Sequence, residues 1–159
     1  MMERRTGESI AAFRRAVELN PNSATAHGDL SRGLAFAGHD REAIEHAEDA
    51  IRLSPMDPDM ALFLGGSAVA HYGAGRYAEA LRVSEELLQL RPGFQGAQRL
   101  HCASLAQTGS TSEARAYLEI VRREQPQLSL DWIKASVPYQ TPQLMERFLE
   151  GMRKAGLGG

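Results

Sequence analysis

The chain has few of the residues that build most recognisable sites. Its single cysteine, Cys102, rules out a disulfide within the chain and makes a reducing compartment its natural setting. Lysine occurs only at Lys134 and Lys154, the other basic residues being arginine. Neither sign of charge dominates: 18 basic against 20 acidic side chains leave a formal charge of -2. With a pI near 6.2 there is no electrostatic footprint for nucleic acid or an anionic membrane. No apolar run approaches the roughly 18 residues a membrane helix needs. Met1-Met2-Glu3-Arg4-Arg5 leads into no signal-peptide core, so the expected location is cytoplasmic.

Motifs for chemistry are also missing. The five histidines are His27, His39, His46, His71 and His101, and none belongs to an HExxH or Cys/His cluster. His39 and His46 could share a helix face only if the helix began before His39, which sits at a turn. No metal site and no cofactor are therefore expected. Gly65-Gly66 and Gly73-Ala74-Gly75 lack the preceding strand and the spacing of a phosphate loop, so they read as packing and turn glycines. Cys102 falls in mid-helix and reads as a buried, inert thiol. Nothing in this inventory supports catalysis, and the expectation is that the chain is not an enzyme.

What the chain does have is a period. An apolar content of 43% with 24% charged residues is that of a folded domain. Pro21, Pro55, Pro92 and Pro126 each close an apolar-periodic segment: AVELNP, AIRLSP, LLQLRP and VRREQP. The first two are 34 residues apart, as are the last two, and the middle gap is longer by three, which marks Met56-Asp57-Pro58 as an insertion. Gly38, Gly75 and Gly109 form a second series, each followed five residues later by an alanine: Ala43, Ala80 and Ala114. Glycine there ends one helix in the left-handed conformation, and the alanine lets the next helix cross it closely. A period near 34 built of helix-turn-helix units implies a solenoid, because one unit cannot bury both of its apolar stripes alone.

These units resemble tetratricopeptide repeats. Ser9, Phe13, Ala16 and Pro21 fit the second-helix pattern of that family, as do Ala43, Ala50 and Pro55 with Ala47 in the aromatic place. Ala80 and Pro92 fit in the next unit, with Ser84 and Leu87 between them, and Ala114, Leu118, Val121 and Pro126 fit in the last. Leu30, Leu34, Leu64 and Leu105 replace the first-helix aromatics. The resemblance covers roughly Gly7 to Pro126. It implies an all-α solenoid, a right-handed superhelix in one domain spanning 1–159. Its expected parts are a half repeat at 6–21, repeats at 24–55, 58–92 and 93–126, and a C-terminal cap at 128–156. The expected helices are 6–19, 23–37, 40–53, 58–73, 77–90, 94–108, 111–124, 129–136 and 142–155. Ser110 with Glu113 reads as a capping box, and Thr141-Pro142 as an N-cap followed by a first-turn proline.

The end of the chain carries a narrower resemblance. The succession of AFRRAVELNPNSATAH, HAEDAIRLSPMDPDMALFLGGSAVAHYGAGRYAEAL, LQLRPGFQGAQRL and VPYQTPQLMERFLEGMRKAGL is similar to the C-terminal helical region of bacterial class III adenylate/guanylate cyclases. Similar regions end some bacterial winged-helix transcriptional regulators. In those proteins the catalytic or DNA-binding domain lies N-terminal to the repeats, and no catalytic residue of theirs maps onto this chain. The resemblance implies a non-catalytic interaction or regulatory module of a signalling protein. A free-standing adaptor that binds a peptide in its groove is the alternative.

In the repeat arrangement the first helices of the units line a concave surface. The residues expected to face a protein or peptide partner there are Arg32, Phe36, Val69, Tyr72, Arg99 and Gln107. Phe36 and Tyr72 can equally pack between helices, and at this stage both readings stand. Gly28 and Gly65 stand where the carboxylate clamp of the family has lysine, and Arg32 and Val69 where it has asparagine, which argues against that clamp. The first helix has no first-helix partner within the repeat pattern. Its Ile10 and Phe13 are expected to form an exposed edge through which two copies of the chain associate. Trp132 is expected under the capping helix near Phe148.

Overall fold

In the computed structural model, which describes residues 2–158 and side chains from residue 7 on, every apolar-periodic segment is a helix. Among the described residues there are nine α-helices and no strand: α1 (Met2–Leu19), α2 (Ala24–Phe36), α3 (Asp40–Leu53), α4 (Met60–Gly73), α5 (Tyr77–Leu90), α6 (Gln95–Gln107), α7 (Thr111–Glu124), α8 (Leu130–Ser136) and α9 (Pro142–Lys154). Helices α2/α3, α4/α5 and α6/α7 are the paired helices of three units, and α1 packs on α2 as the second helix of a half unit.

The turn glycines do what their spacing requires. Gly38, Gly75 and Gly109 have φ of 85°, 78° and 89°, the region L side chains avoid. Each turn closes with the same bond pair one repeat apart. His39 N–H donates to Leu34 O at 2.9 Å, Arg76 N–H to His71 O at 2.8 Å and Ser110 N–H to Leu105 O at 3.0 Å. The third of these overturns the expected capping box. The Ser110 N–H that Glu113 would accept is already given to Leu105, and the Ser110 side chain makes no cap bond. Thr141 does cap α9, accepting from Leu144 N–H at 3.1 Å, with Pro142 in the first turn. The Met56-Asp57-Pro58 insertion forms an exposed turn, in which Asp57 Oδ1 accepts the Asp59 N–H at 2.8 Å.

Packing within each unit rests on small residues. Ala43, Ala80 and Ala114 are all fully buried. Twelve residues before each of them along the chain are Ser31, Ala68 and Cys102, also buried. Ser31 Oγ donates to Ala43 O at 2.7 Å, and Cys102 Sγ lies 3.5 Å from Ala114 O. Burial pushes the Cys102 thiol up to about 12, so it stays protonated. Helix α4 is enclosed by α2, α3, α5, α6 and α9, and ten of its fourteen residues are buried. That accounts for a sequence apolar on nearly every side, while α3, α5 and α7 keep a polar face.

The first helix differs from the expected bare edge. Ile10 and Phe13 are half-buried and pack onto α2, where Gly33 leaves room for the Phe13 ring. The side of α1 that stands open carries Ala12 and Ala16, both exposed. Ala16 occupies the repeat position of Ala50, which is fully buried.

Replacing Ala80 by Leu forces the α4/α5 crossing apart. The expected cost is about 1–3 kcal/mol, read as a lowered denaturant midpoint with an unchanged slope.

Candidate functional site

The concave face is formed by α2, α4 and α6, and the C-terminal segment lies along it. Expected as a cap on the last unit, that segment instead spans all three. Gln140 N–H donates to Phe36 O at 2.9 Å at the end of α2. Thr141 sits against Gly38, and α9 then passes the ends of α4 and α6. Gly156, beyond α9, reaches α7 beside Leu118. The physical reason is the apolar face of α9, with Leu144, Phe148, Leu149 and Met152, which finds its counterpart in the groove.

Tyr72 is the anchor. It is fully buried and donates its phenolic proton to the Arg147 carbonyl at 2.7 Å. It can come this close to the α9 backbone because Gly151 lies one turn further on. A Cβ at Gly151 would meet the Tyr72 hydroxyl and lie 2.9 Å from Ala103 Cβ. Burial raises the Tyr72 phenol far above its ordinary range, so it remains a donor. Gln107 holds the same helix: its Nε2 donates to the Arg147 carbonyl at 3.2 Å and its Oε1 accepts Lys154 Nζ at 2.8 Å. The Arg147 guanidinium donates in turn to the Gly73 carbonyl. The Phe148 ring packs edge-on to Tyr72 at 6.1 Å and to Tyr139 at 5.0 Å.

Trp132 is not beside Phe148. Its ring carries the Arg99 guanidinium, with 5.2 Å from Cζ to the ring centroid. Arg99 Nη1 also donates to Gln125 Oε1 at 2.6 Å. Gln125, fully buried, donates to Gln98 Oε1 at 2.9 Å, and Gln98 donates to Pro92 O at 3.0 Å. Arg99 is thus tied into a buried amide network, and burial lowers its pKa from the ordinary guanidinium value.

The part of the concave face left open is a small cleft, about 90 Å3, between α2, α4, α6 and the extended passage Val137–Tyr139. Arg32, Phe36, Val69 and Arg99 meet there, with Leu62 and Phe94 completing the apolar wall. Of the six residues expected to face a partner, these four share the cleft, while Tyr72 and Gln107 lie under α9. Among the described residues the Arg32 side chain makes no hydrogen bond or ion pair. Sequence reasoning missed Arg147, Gln98 and Gln125. Arg147 acts through its backbone carbonyl, for which no side-chain signal exists. Gln98 stands six residues after Pro92, as His27 does after Pro21, and both reach back to that proline's carbonyl.

Stacked helical hairpins with a concave groove lined by the first helices define a repeat scaffold of the solenoid class. Two family models, each described as tetratricopeptide repeat, match residues 29–94 and 71–132. Residues 29–132 therefore carry tetratricopeptide repeats. The fold is similar to that of MamA, with a TM-score of 0.66 at 16% identity over 92% of this chain and 84% of that one. It is similar also to YrrB, described as a TPR protein with an unusual peptide-binding site, with a TM-score of 0.64 at 21% identity over 96% and 77%. Among curated proteins, a small glutamine-rich tetratricopeptide repeat-containing protein 2 of Mycosarcoma maydis is 28% identical over 110 residues, 69% of this chain. A putative adenylate cyclase 3 of Rhizobium meliloti is 46% identical over 44 residues, 28% of this chain. The matches span only 30% and 8% of those two relatives' lengths.

Gly151→Val puts a branched side chain between Tyr72 and Ala103. The expected result is a loss of about 1–3 kcal/mol and faster amide exchange over residues 142–157, with the exchange of α4 and α5 little changed.

Proposed function

We propose that the chain is a non-catalytic protein-interaction scaffold whose concave face is shared between its own C-terminal helix and an extended peptide of a partner. The observation that carries this reading is the cleft itself, where apolar walls meet Arg32 with its charge unpaired among the described residues. An apolar side chain suits the cleft, and a carboxylate beside it suits Arg32. Phe36 and Val69 supply apolar contact and Arg99 the rim, while Tyr72 and Gln107 act from beneath by holding α9. The description of YrrB as having a peptide-binding site supports a peptide as the ligand class.

The similarity to a putative adenylate cyclase, short as it is, supports placing this scaffold on the C-terminal side of a bacterial, cytoplasmic nucleotide-cyclase-like signalling protein. A free-standing adaptor rests equally well on the repeats, as does the repeat region of a transcriptional regulator. The genomic reading frame around the Met1 codon separates these three.

Peptides selected on the purified chain from a random display library test the cleft. One charge-assisted bond is worth about 1.5–3 kcal/mol, roughly tenfold or more in affinity. Arg32→Glu is therefore expected to weaken the selected peptides by at least that factor with unchanged helical circular dichroism. Full binding by Arg32→Glu would move the site off the concave face.

A second contact surface follows from α1. The exposed Ala12 and Ala16 offer a second copy of the chain a small-residue face for close helix packing, giving a homodimer through the N-terminal helix. Because Phe13 is needed for packing on α2, Ala16→Glu is the cleaner test. Sedimentation is expected to show dimers for the wild type at micromolar concentration and monomers for Ala16→Glu, and a monomeric wild type would overturn the reading.

A further inference from the structure

On the opposite side of the second unit from the α9 contacts, three metal-ligating groups from two helices converge. His27 of α2 faces His46 of α3 with Nδ1 to Nδ1 at 2.9 Å. Asp49, one turn beyond His46, places Oδ2 3.9 Å from His27 Nδ1, and the three ligand atoms lie within 4.8 Å of one another. We propose that His27 Nδ1, His46 Nδ1 and Asp49 Oδ2 form a binding site for a divalent transition-metal ion of the zinc class.

The hydrogen bonds around the pair carry the argument. His27 Nε2 lies 2.8 Å from the Pro21 carbonyl, which can only accept, so that nitrogen holds the ring's proton. His27 Nδ1 therefore presents its lone pair to His46. On the far side, a Glu42 carboxylate oxygen stands 4.0 Å from His46 Nε2, beyond hydrogen-bond range, so His46 is free to carry its proton on Nε2 when a cation takes Nδ1. Two imidazole lone pairs facing each other at hydrogen-bond distance repel unless a proton or a cation lies between them. The observed separations of 2.9 and 3.9 Å bracket the ligand spacing of about 3.3 Å in a tetrahedral site with bonds of roughly 2.0–2.1 Å. Imidazole nitrogen with a carboxylate oxygen is a donor set that suits zinc.

The fold does not need these groups. At the same positions relative to the turn glycine, the third unit has Leu64, Val83 and Glu86 and the fourth has Gln98, Tyr117 and Ile120. The helix crossing is made equally well by an apolar pair, so two facing imidazoles and a carboxylate are an addition to one unit. His27 is buried while Asp49 is partly exposed, which leaves the ion a side open to solvent and a coordination position for water. The ion would join α2 to α3 and so brace the unit on which α1 packs. The expectation of no metal from the sequence paired His39 with His46; in the structure His27, on the antiparallel helix, is the partner.

The test uses the tag-free, metal-free full chain, titrated with zinc by calorimetry and by competition with a chromophoric chelator. One zinc per chain is expected, with a melting temperature that rises in its presence. His46→Ala and Asp49→Asn are each expected to weaken binding by more than the roughly tenfold that even an outer-shell change costs. Both variants replace partly exposed side chains, and their metal-free melting temperatures report whether the fold is intact. His39→Ala, an exposed histidine outside the cluster, should bind as the wild type does. A wild type that takes up no zinc overturns the proposal. So does one whose affinity is matched by Asp49→Asn and His46→Ala.

Discussion

The close crossing of the two helices within each unit is the constraint on which the rest depends. Ser31 against Ala43, Ala68 against Ala80 and Cys102 against Ala114 keep the backbones near enough for side chain-to-backbone bonds at the first and third crossings. A larger side chain at any of them would push one helix outward. The stacking of α2, α4 and α6 would then lose its register, because each of these helices packs on the next. The groove is thus a consequence of alanines and turn glycines that never touch it. Cys102 belongs to this set by size, and its raised thiol pKa follows from the same burial.

The groove in turn sets the fate of the C-terminal segment. A solenoid's concave face offers apolar surface with few polar demands, and α9 presents a matching stripe. The close fit is made where two exceptions coincide. Tyr72 is a buried phenol that needs an acceptor, and Gly151 is a gap in α9 that exposes one, the Arg147 carbonyl. Gln107 adds a second donor to the same carbonyl. These contacts place the chain's own helix across the ends of α4 and α6 and leave the cleft beside Val137–Tyr139 as the open part of the face. The half-buried Tyr139 stands at the boundary, its phenol pushed up to about 12 by burial.

Much of the fold was legible because its determinants are local and recur. The 34-residue period, the three turn glycines and the alanines five residues later each specify a conformation within one unit. The helix bounds follow from them to within a few residues. The site was legible only in part. Arg32, Phe36, Val69 and Arg99 were found from register, since position on a first helix determines which face a side chain takes. Tyr72 and Gln107 lie on that face too, but what covers them is 40 to 75 residues away in sequence, a pairing that periodicity does not encode. The supposed bare edge at Ile10 and Phe13 failed for a related reason. Gly33, which makes room for Phe13, lies outside both the turn series and the alanine series.

The repeat position six residues after the closing proline shows how a uniform fold acquires local chemistry. In the third unit Leu64 stands there, counted from Pro58, and is simply buried. In the fourth, Gln98 donates to the Pro92 carbonyl, and its own amide oxygen then requires a donor, which Gln125 supplies. Gln125 in turn orients Arg99, so one buried amide fixes a cation at the rim of the cleft. In the second, His27 makes the equivalent bond to Pro21, but an imidazole has a second nitrogen on the opposite side of its ring. That nitrogen points away from the carbonyl toward α3 and meets His46. The same backbone acceptor therefore leads to a packed leucine, an amide relay or a pair of imidazoles according to the side chain beside it. Solenoid geometry supplies the carbonyl in the second and fourth units, and the side chain beside it decides what is built on it.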